Sequence, residues 1–205
     1  METLDAIRLR CSLKTKLAER EVPAAWVESV LSAACLAPSA RNTQPWRFVV
    51  VRGRAAIDAL ADAALPESSV IIRRAPVIVV ACVRPDDGIT HEGRAYFLYD
   101  IGSAVQNLLL AATDHGLATH LIGSFDEVEI KRVLRIPDDV RVVVLTPLAW
   151  PNAASYAEAA AERLEARTRR PLPEVTFAGV WGEPWAAPEG AVAPSAAPSS
   201  ETGAR

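Results

Sequence analysis

The sequence is poor in several features, and each scarcity removes a class of protein. Cysteine occurs three times in 205 residues, at Cys11, Cys35 and Cys82, widely spaced and set among apolar residues. An odd, scattered set is neither a disulfide framework nor a metal-ligand spacing, and it fits a reducing interior. No apolar run reaches the roughly 18 to 20 residues that a bilayer span needs. The opening METLDAIRLR carries acids and lacks an apolar core of signal-peptide length. A cytoplasmic protein with no membrane partner is expected. The formal charge of −3 gives no global attraction to nucleic acid, so any bound anion must be held by a local cluster of bases. His115 and His120 are five apart across the end of a predicted helix, a poor metal arrangement, and no metal is expected. His115 with Asp114 reads as a solvated capping pair. Gly-rich phosphate loops of the P-loop or dinucleotide type are missing, and so is a Gly-x-Ser-x-Gly elbow.

What is present is enough for one domain with a sizeable core: 205 residues, half of them apolar. Helical spacing is predicted over the opening METLDAIRLR and over PAAWVESVLSAACLA, where Pro23 suits a first turn and Pro38 a stop. WRFVVVRG and APVIVVACV read as buried strands, with a helix over RAAIDALADAAL ending near Pro66. The stretch RAYFLYDIGSAVQNLLLAATDHG is apolar around more than half its circumference, so it should be central and buried, with Gly116 as its cap. LATHLIGSF and VRVVVLTPLAW complete the strands, and DEVEIKRVLRI and YAEAAAERLEART the helices. Helices and strands without strict alternation predict an α+β fold around a modest sheet. Residues 1–182 are expected to form the domain, and the Pro/Ala/Ser-rich residues 183–205 a disordered tail.

Three polar stretches gain nothing from core packing. RCSLK places Arg10, Ser12 and Lys14 after the opening helix. It reads as a solvated basic turn, or as a phosphate clamp in which guanidinium meets oxygens two at a time. RTRRPL places Arg167 and Arg169 on one side of an extended segment, either solvated or converging on an anion. PSARNTQPW offers hydrogen-bonding side chains and amides from a proline-stiffened loop, with Pro45 and Trp46 as its anchor in the core.

Together these stretches resemble the FMN-dependent nitroreductase family over about residues 5–182. The marks are Arg10-Cys11-Ser12-Leu13-Lys14, APSARNTQPW, DIGSAVQNLLLAATDHGLATH and RTRRPL, in the family's order. The resemblance implies an α+β fold, a central mixed or antiparallel sheet flanked by helices, in an interlocked homodimer. It implies FMN as cofactor and NAD(P)H as co-substrate. Arg10, Ser12, Arg167 and Arg169 would hold the FMN phosphate and ribityl chain, with Cys11 at a position that is usually basic. Lys14 would lie at the N1/O2 edge of the isoalloxazine, where a cation tunes the ring. Pro38, Ser39, Ala40 and Asn42 would approach from the partner subunit. Ser68 would stand where the family has an asparagine, and the amides of Gly123 and Ser124, in place of an acidic-glycine pair, would face N5. LPEVTFAGVW would cross to the other subunit as an extra strand. The implied activity is ping-pong hydride transfer from NAD(P)H to an electron-poor small molecule such as a nitroaromatic, quinone or enal, with no catalytic side chain required. Flavin-dependent oxidation of a peptide- or amino-acid-derived substrate is one alternative, and a non-catalytic flavin-binding protein another.

Overall fold

The computed structural model describes residues 1–14 and 16–186, and the chain divides into two units at Ala166/Arg167. In the first unit, α1 (Thr3–Leu9) is followed by the short β1 (Leu17–Ala18) and by α2 (Ala24–Cys35). β2 (Trp46–Arg52) turns at Gly53, whose φ of 85° favours glycine, straight into α3 (Arg54–Asp62). Where the sequence suggests one helix ending near Pro66, the structure has a second, α4 (Pro66–Arg74). Pro66 occupies its first turn, where a missing N–H costs nothing, and Ile71 and Ile72 fill its buried face. β3 (Val77–Val83) leads to a small hairpin, β4 (Thr90–His91) and β5 (Arg94–Ala95), and then to the long α5 (Tyr96–Asp114). α6 (Glu127–Leu134) is capped by Asp126, which accepts from the Val128 and Glu129 amides at 2.9 and 3.2 Å. β6 (Arg141–Leu148), β7 (Trp150–Pro151) and α7 (Tyr156–Glu165) close the unit.

The main sheet has the order β2–β3–β6 and is antiparallel throughout, with Trp46 opposite Val83 and Val77 opposite Leu148. All seven residues of the central β3 are buried, as a strand covered on both faces must be. Ile78, Val80 and Cys82 join the core under α3, α4 and α6, while Val77, Val79 and Ala81 join the core under α2 and α5. β2 lies at the edge, and no strand among the described residues pairs with its outer side. LATHLIGSF is not the continuous strand its apolar pattern predicts. Ala118 pairs with Ala149 and Ile122 with Leu145 in one antiparallel register beside the end of β6, where Pro147 has no N–H to continue the ladder, while Thr119 bridges Ser12 and Phe125 bridges Ala64.

α5 buries Ile101, Ala104, Val105, Leu108, Leu109 and Ala112, but its opposite face leaves Leu98 and Tyr99 at 51 % and 73 % exposure. Gly102 on this helix has open space where a Cβ would stand. His115 is the C-cap of α5, as the sequence suggests, but it is packed rather than solvated. It is half-buried, its Nε2 lies 2.8 Å from Ser29 Oγ, and its ring meets Trp26 edge-on at 4.3 Å.

In the second unit, LPEVTFAGVW forms a helical turn, α8 (Leu172–Val175), rather than a strand along its length. Pro171 and Pro173 fix helical φ and remove ladder donors, and the Glu174 amide reaches the Pro171 carbonyl at 3.0 Å. Phe177 then bridges Pro184, and the Trp185 amide donates to the Thr176 carbonyl at 3.0 Å. Most of the expected tail, residues 187–205, lies outside the described residues. Among the described residues no helix is long and apolar enough to cross a membrane.

Candidate active site

One cavity of about 430 Å³ gathers residues that the sequence keeps far apart. Lys14 reaches it from the segment after α1, Glu67, Ser68, Val70, Ile71 and Arg74 from α4, and His120 through Ser124 from the segment that bridges between strands. The local folding explains the convergence. Ser12 pairs with Thr119 in parallel and the Leu13 amide donates to the Thr119 carbonyl at 2.9 Å, so the segments carrying Lys14 and His120 run side by side. The Leu65 amide donates to the Ser124 carbonyl at 3.2 Å and the Asp126 amide to the Ala63 carbonyl at 3.1 Å, which fixes the start of α4 against Gly123 and Ser124.

The cavity's polar side is rich in donors. The main-chain amides of Gly123 and Ser124, both exposed, donate to no acceptor among the described residues. Gly123 has no backbone need to be glycine, and a Cβ there would meet nothing within 4 Å. Lys14 and Arg74 face the single acid Glu67. His120 is half-buried, its Nδ1 is buried without a hydrogen-bond partner among the described residues, and burial, helped by the positive charges of Lys14 and Arg163, pulls its pKa down to about 4. The imidazole is therefore neutral at pH 7.

Of the expected site residues, Lys14, Ser68, Gly123 and Ser124 line this one cavity. Ser12 lies in the adjoining bridge to Thr119. Cys11 does not face it: the side chain is buried in the core. Its amide donates to Tyr156 Oη at 3.2 Å, and its carbonyl accepts from the same phenol at 3.4 Å. Burial raises the pKa of Tyr156, which keeps that phenol a donor. Cys11 is thus a packing residue, small and apolar where a base would be buried. Arg10 follows α1 as its cap. Arg167 and Arg169 belong to the second unit, where Arg169 Nη1 donates to the Thr168 carbonyl at 2.7 Å.

The loop of Pro38, Ser39, Ala40 and Asn42 lies elsewhere in the same chain. Pro38 borders a groove of about 570 Å³ along α5 with Leu98, Tyr99, Gly102, Ser103, Gln106 and Asn107. Arg41, Asn42 and Gln44 have φ of 52°, 59° and 49°, left-handed conformations that non-glycine residues adopt at a cost. The loop is held by the Gln44 amide on Ser39 Oγ at 3.0 Å and by the Ala40 amide on Asp100 Oδ1 at 3.1 Å. Trp46, 6 % exposed, anchors its far end. An apolar groove of about 480 Å³ between α2 and β2 holds none of the expected site residues.

Sequence reasoning missed His120, Arg74 and Glu67. His120 sits between the Gly-Leu-Ala-Thr mark and Gly123, and that adjacency was the available signal. Other reactive candidates fall away: burial pushes the Cys82 thiol up to about 12, which makes it inert. No metal-ligating cluster occurs among the described residues.

Comparison with known proteins matches residues 7–72 and 66–150 to the nitroreductase family. A protein of Methanothermobacter thermautotrophicus that bears the name NADH dehydrogenase/NAD(P)H nitroreductase is 33 % identical over 155 residues, which is 74 % of this chain and 78 % of that one. The 5,6-dimethylbenzimidazole synthase of Rhodospirillum rubrum is 31 % identical over 173 residues, 73 % of this chain and 82 % of its own. Among solved structures, a nitroreductase family protein from Clostridium novyi superposes with a TM-score of 0.71 at 28 % identity, covering 90 % of this chain and 97 % of that one. A nitroreductase-like protein in complex with FMN from Desulfovibrio desulfuricans gives a TM-score of 0.74 at 26 % identity, covering 91 % and 99 %. With its α+β fold and a matched span from residue 7 to residue 150, the chain belongs to the nitroreductase family, a family of oxidoreductases.

Proposed function

We propose that the protein is an FMN-dependent oxidoreductase that takes hydride from NAD(P)H and passes it to an electron-poor small molecule. The observation that carries this reading is the convergence of Lys14, Ser68, Gly123 and Ser124, from three separate segments, on one cavity with room at Gly123. Two unengaged amides, a hydroxyl, an ammonium and an orphaned imidazole nitrogen form the donor-rich set that the polar edge of an isoalloxazine requires. Bound there, FMN would supply the hydride chemistry, accepting from the nicotinamide and delivering to the acceptor in the same cleft.

The chain's residues then bind and orient. Lys14 places positive charge at the ring's N1/O2 edge, and the Gly123 and Ser124 amides serve the N5 side. Arg10 and Ser12 would hold the phosphate and ribityl chain. This reading makes the functional unit a homodimer: the loop of Pro38, Ser39, Ala40 and Asn42, whose Pro38 borders the α5 groove and not this cavity, would meet the flavin from a second copy. The open face of α5, with Leu98, Tyr99 and the bare Gly102, is where that copy would pack.

A second reading keeps the flavin and reverses the direction, with a peptide- or amino-acid-derived substrate oxidised and oxygen as the final acceptor. Anaerobic titration with NADH and NADPH separates the two. Prompt bleaching of the flavin absorbance is expected, and a spectrum indifferent to both nicotinamides would favour the oxidase. Protein that binds no FMN after reconstitution would end both readings.

A further inference from the structure

Thr119 and His120 stand side by side in an extended segment, where successive side chains point to opposite faces. Thr119 is 1 % exposed and faces the core, which turns His120 toward the cavity that it lines with Lys14 and Gly123. Within that wall the Nδ1 atom is buried and has no hydrogen-bond partner among the described residues. Native folds rarely leave a buried polar atom unpaired, and such an atom calls for a partner from outside the chain. The buried hydroxyls of Thr119 and Thr146 are also unpaired, but neither residue lines the cavity. His120 is thus the one residue of the cavity wall, among those described, with a buried unpaired side-chain atom.

We infer that His120 belongs to the binding surface of this cavity and that its Nδ1 pairs with the polar edge of the bound flavin ring, next to Lys14. The inference rests on the FMN reading above and adds a residue to it. A neutral imidazole suits the place: it supplies a directed hydrogen bond, donor or acceptor according to tautomer, without adding a second cation beside the Lys14 ammonium.

Replacement by asparagine keeps a polar atom near the position of Nδ1, glutamine moves it toward that of Nε2, and leucine removes both. Dissociation constants for FMN and for riboflavin, read from quenching of flavin fluorescence, are expected to rise about tenfold in H120L and H120Q (about 1.4 kcal/mol) and to stay within about twofold in H120N. The factor should be the same for riboflavin, because the contact is with the ring and not the phosphate. The thermal midpoint of apo-H120L should match or exceed that of the wild-type apoprotein, since an unpaired buried atom has been removed. H120L that binds FMN as tightly as wild type, H120Q indistinguishable from H120N, or an effect that vanishes with riboflavin would overturn the inference. If H120L does not fold, the Gln and Asn pair still decides. Wild-type protein without affinity for FMN would instead refute the functional reading itself.

Discussion

Asp100 Oδ1 accepts a hydrogen bond from the Ala40 amide at 3.1 Å and so joins the N-terminal part of α5 to a loop sixty residues earlier. Asp100 is 1 % exposed and its other oxygen is buried without a partner among the described residues. A buried acid with a single loop contact serves to position that loop, which holds three left-handed residues that would otherwise relax. Asp100→Ala should lower stability by about 1–3 kcal/mol, because it strands the Ala40 amide. Asp100→Asn, which keeps an acceptor, should lose much less. Urea denaturation of the two variants checks this, and equal losses would remove the hydrogen bond from the account.

Trp46 closes the same loop from the other side. Its ring is buried in the core of α2 and α5, so Trp46→Ala should destabilise the protein by about 3–5 kcal/mol and Trp46→Phe by clearly less. Chemical denaturation of both measures the difference.

The phosphate site can be tested through charge. Arg10→Ala should weaken FMN binding by roughly 10- to 100-fold, the loss of one charge-assisted hydrogen bond. Fluorescence titration reads it, and a variant with unchanged affinity would place its arginine outside the site.

Gly102 is helical and its Cβ position is open, so within a single chain Gly102→Ala should strengthen α5 by about 0.5–1 kcal/mol. A bulkier Gly102→Leu should instead push an approaching copy away. Sedimentation should show wild type as a dimer at micromolar concentration and the leucine variant shifted toward monomer. A wild-type monomer loaded with flavin would contradict the shared site.

His120 gives a pH dependence of defined sign. Its pKa falls from 6.5 to about 4 on folding, so between these values the unfolded chain binds more protons than the folded one. Stability from this residue is therefore complete above pH 6.5 and declines as pH drops toward 4. Below that the contribution levels off. His120→Asn has no such titration, so wild-type apoprotein should lose more stability than the variant between pH 7 and pH 4.5, as followed by urea midpoints. Parallel curves would show that the histidine is not held neutral.

Much of this was legible in the sequence where the information is local. Pro23, Gly53, Gly116 and Asp126 mark element boundaries through their own backbone chemistry, and the all-apolar Val77–Val83 could only be a central strand. Lys14, Gly123 and Ser124, which share one cavity, could be named because they lie in or beside recognisable marks, and Ser68 only from the family's position for an asparagine. What stayed hidden depends on pairing between distant segments. The bridge from Ser12 to Thr119 makes His120 a neighbour of Lys14, and no window of sequence contains both. The burial of Cys11, with its amide held by Tyr156, 145 residues away, is equally invisible to any local window. The helix after Pro66 is not legible because the apolar residues of PESSVIIRR are too few to announce a helix alone, and tertiary burial of Ile71 and Ile72 completes it.

The outer margin of β2 has a consequence for how the chain must be produced. Seven residues long, with Arg47 and Arg52 its only charges, the strand has no strand partner along the outer side of Val49–Val51 among the described residues. Such a margin is a template for any extended polypeptide. Chains that add to one another through it head-to-tail can grow without limit, whereas a twofold assembly that covers both margins at once terminates growth. An assembly that covers this margin would thus act as a solubility device, distinct from packing on the open face of α5, and variants that leave it bare should precipitate before they merely lose activity.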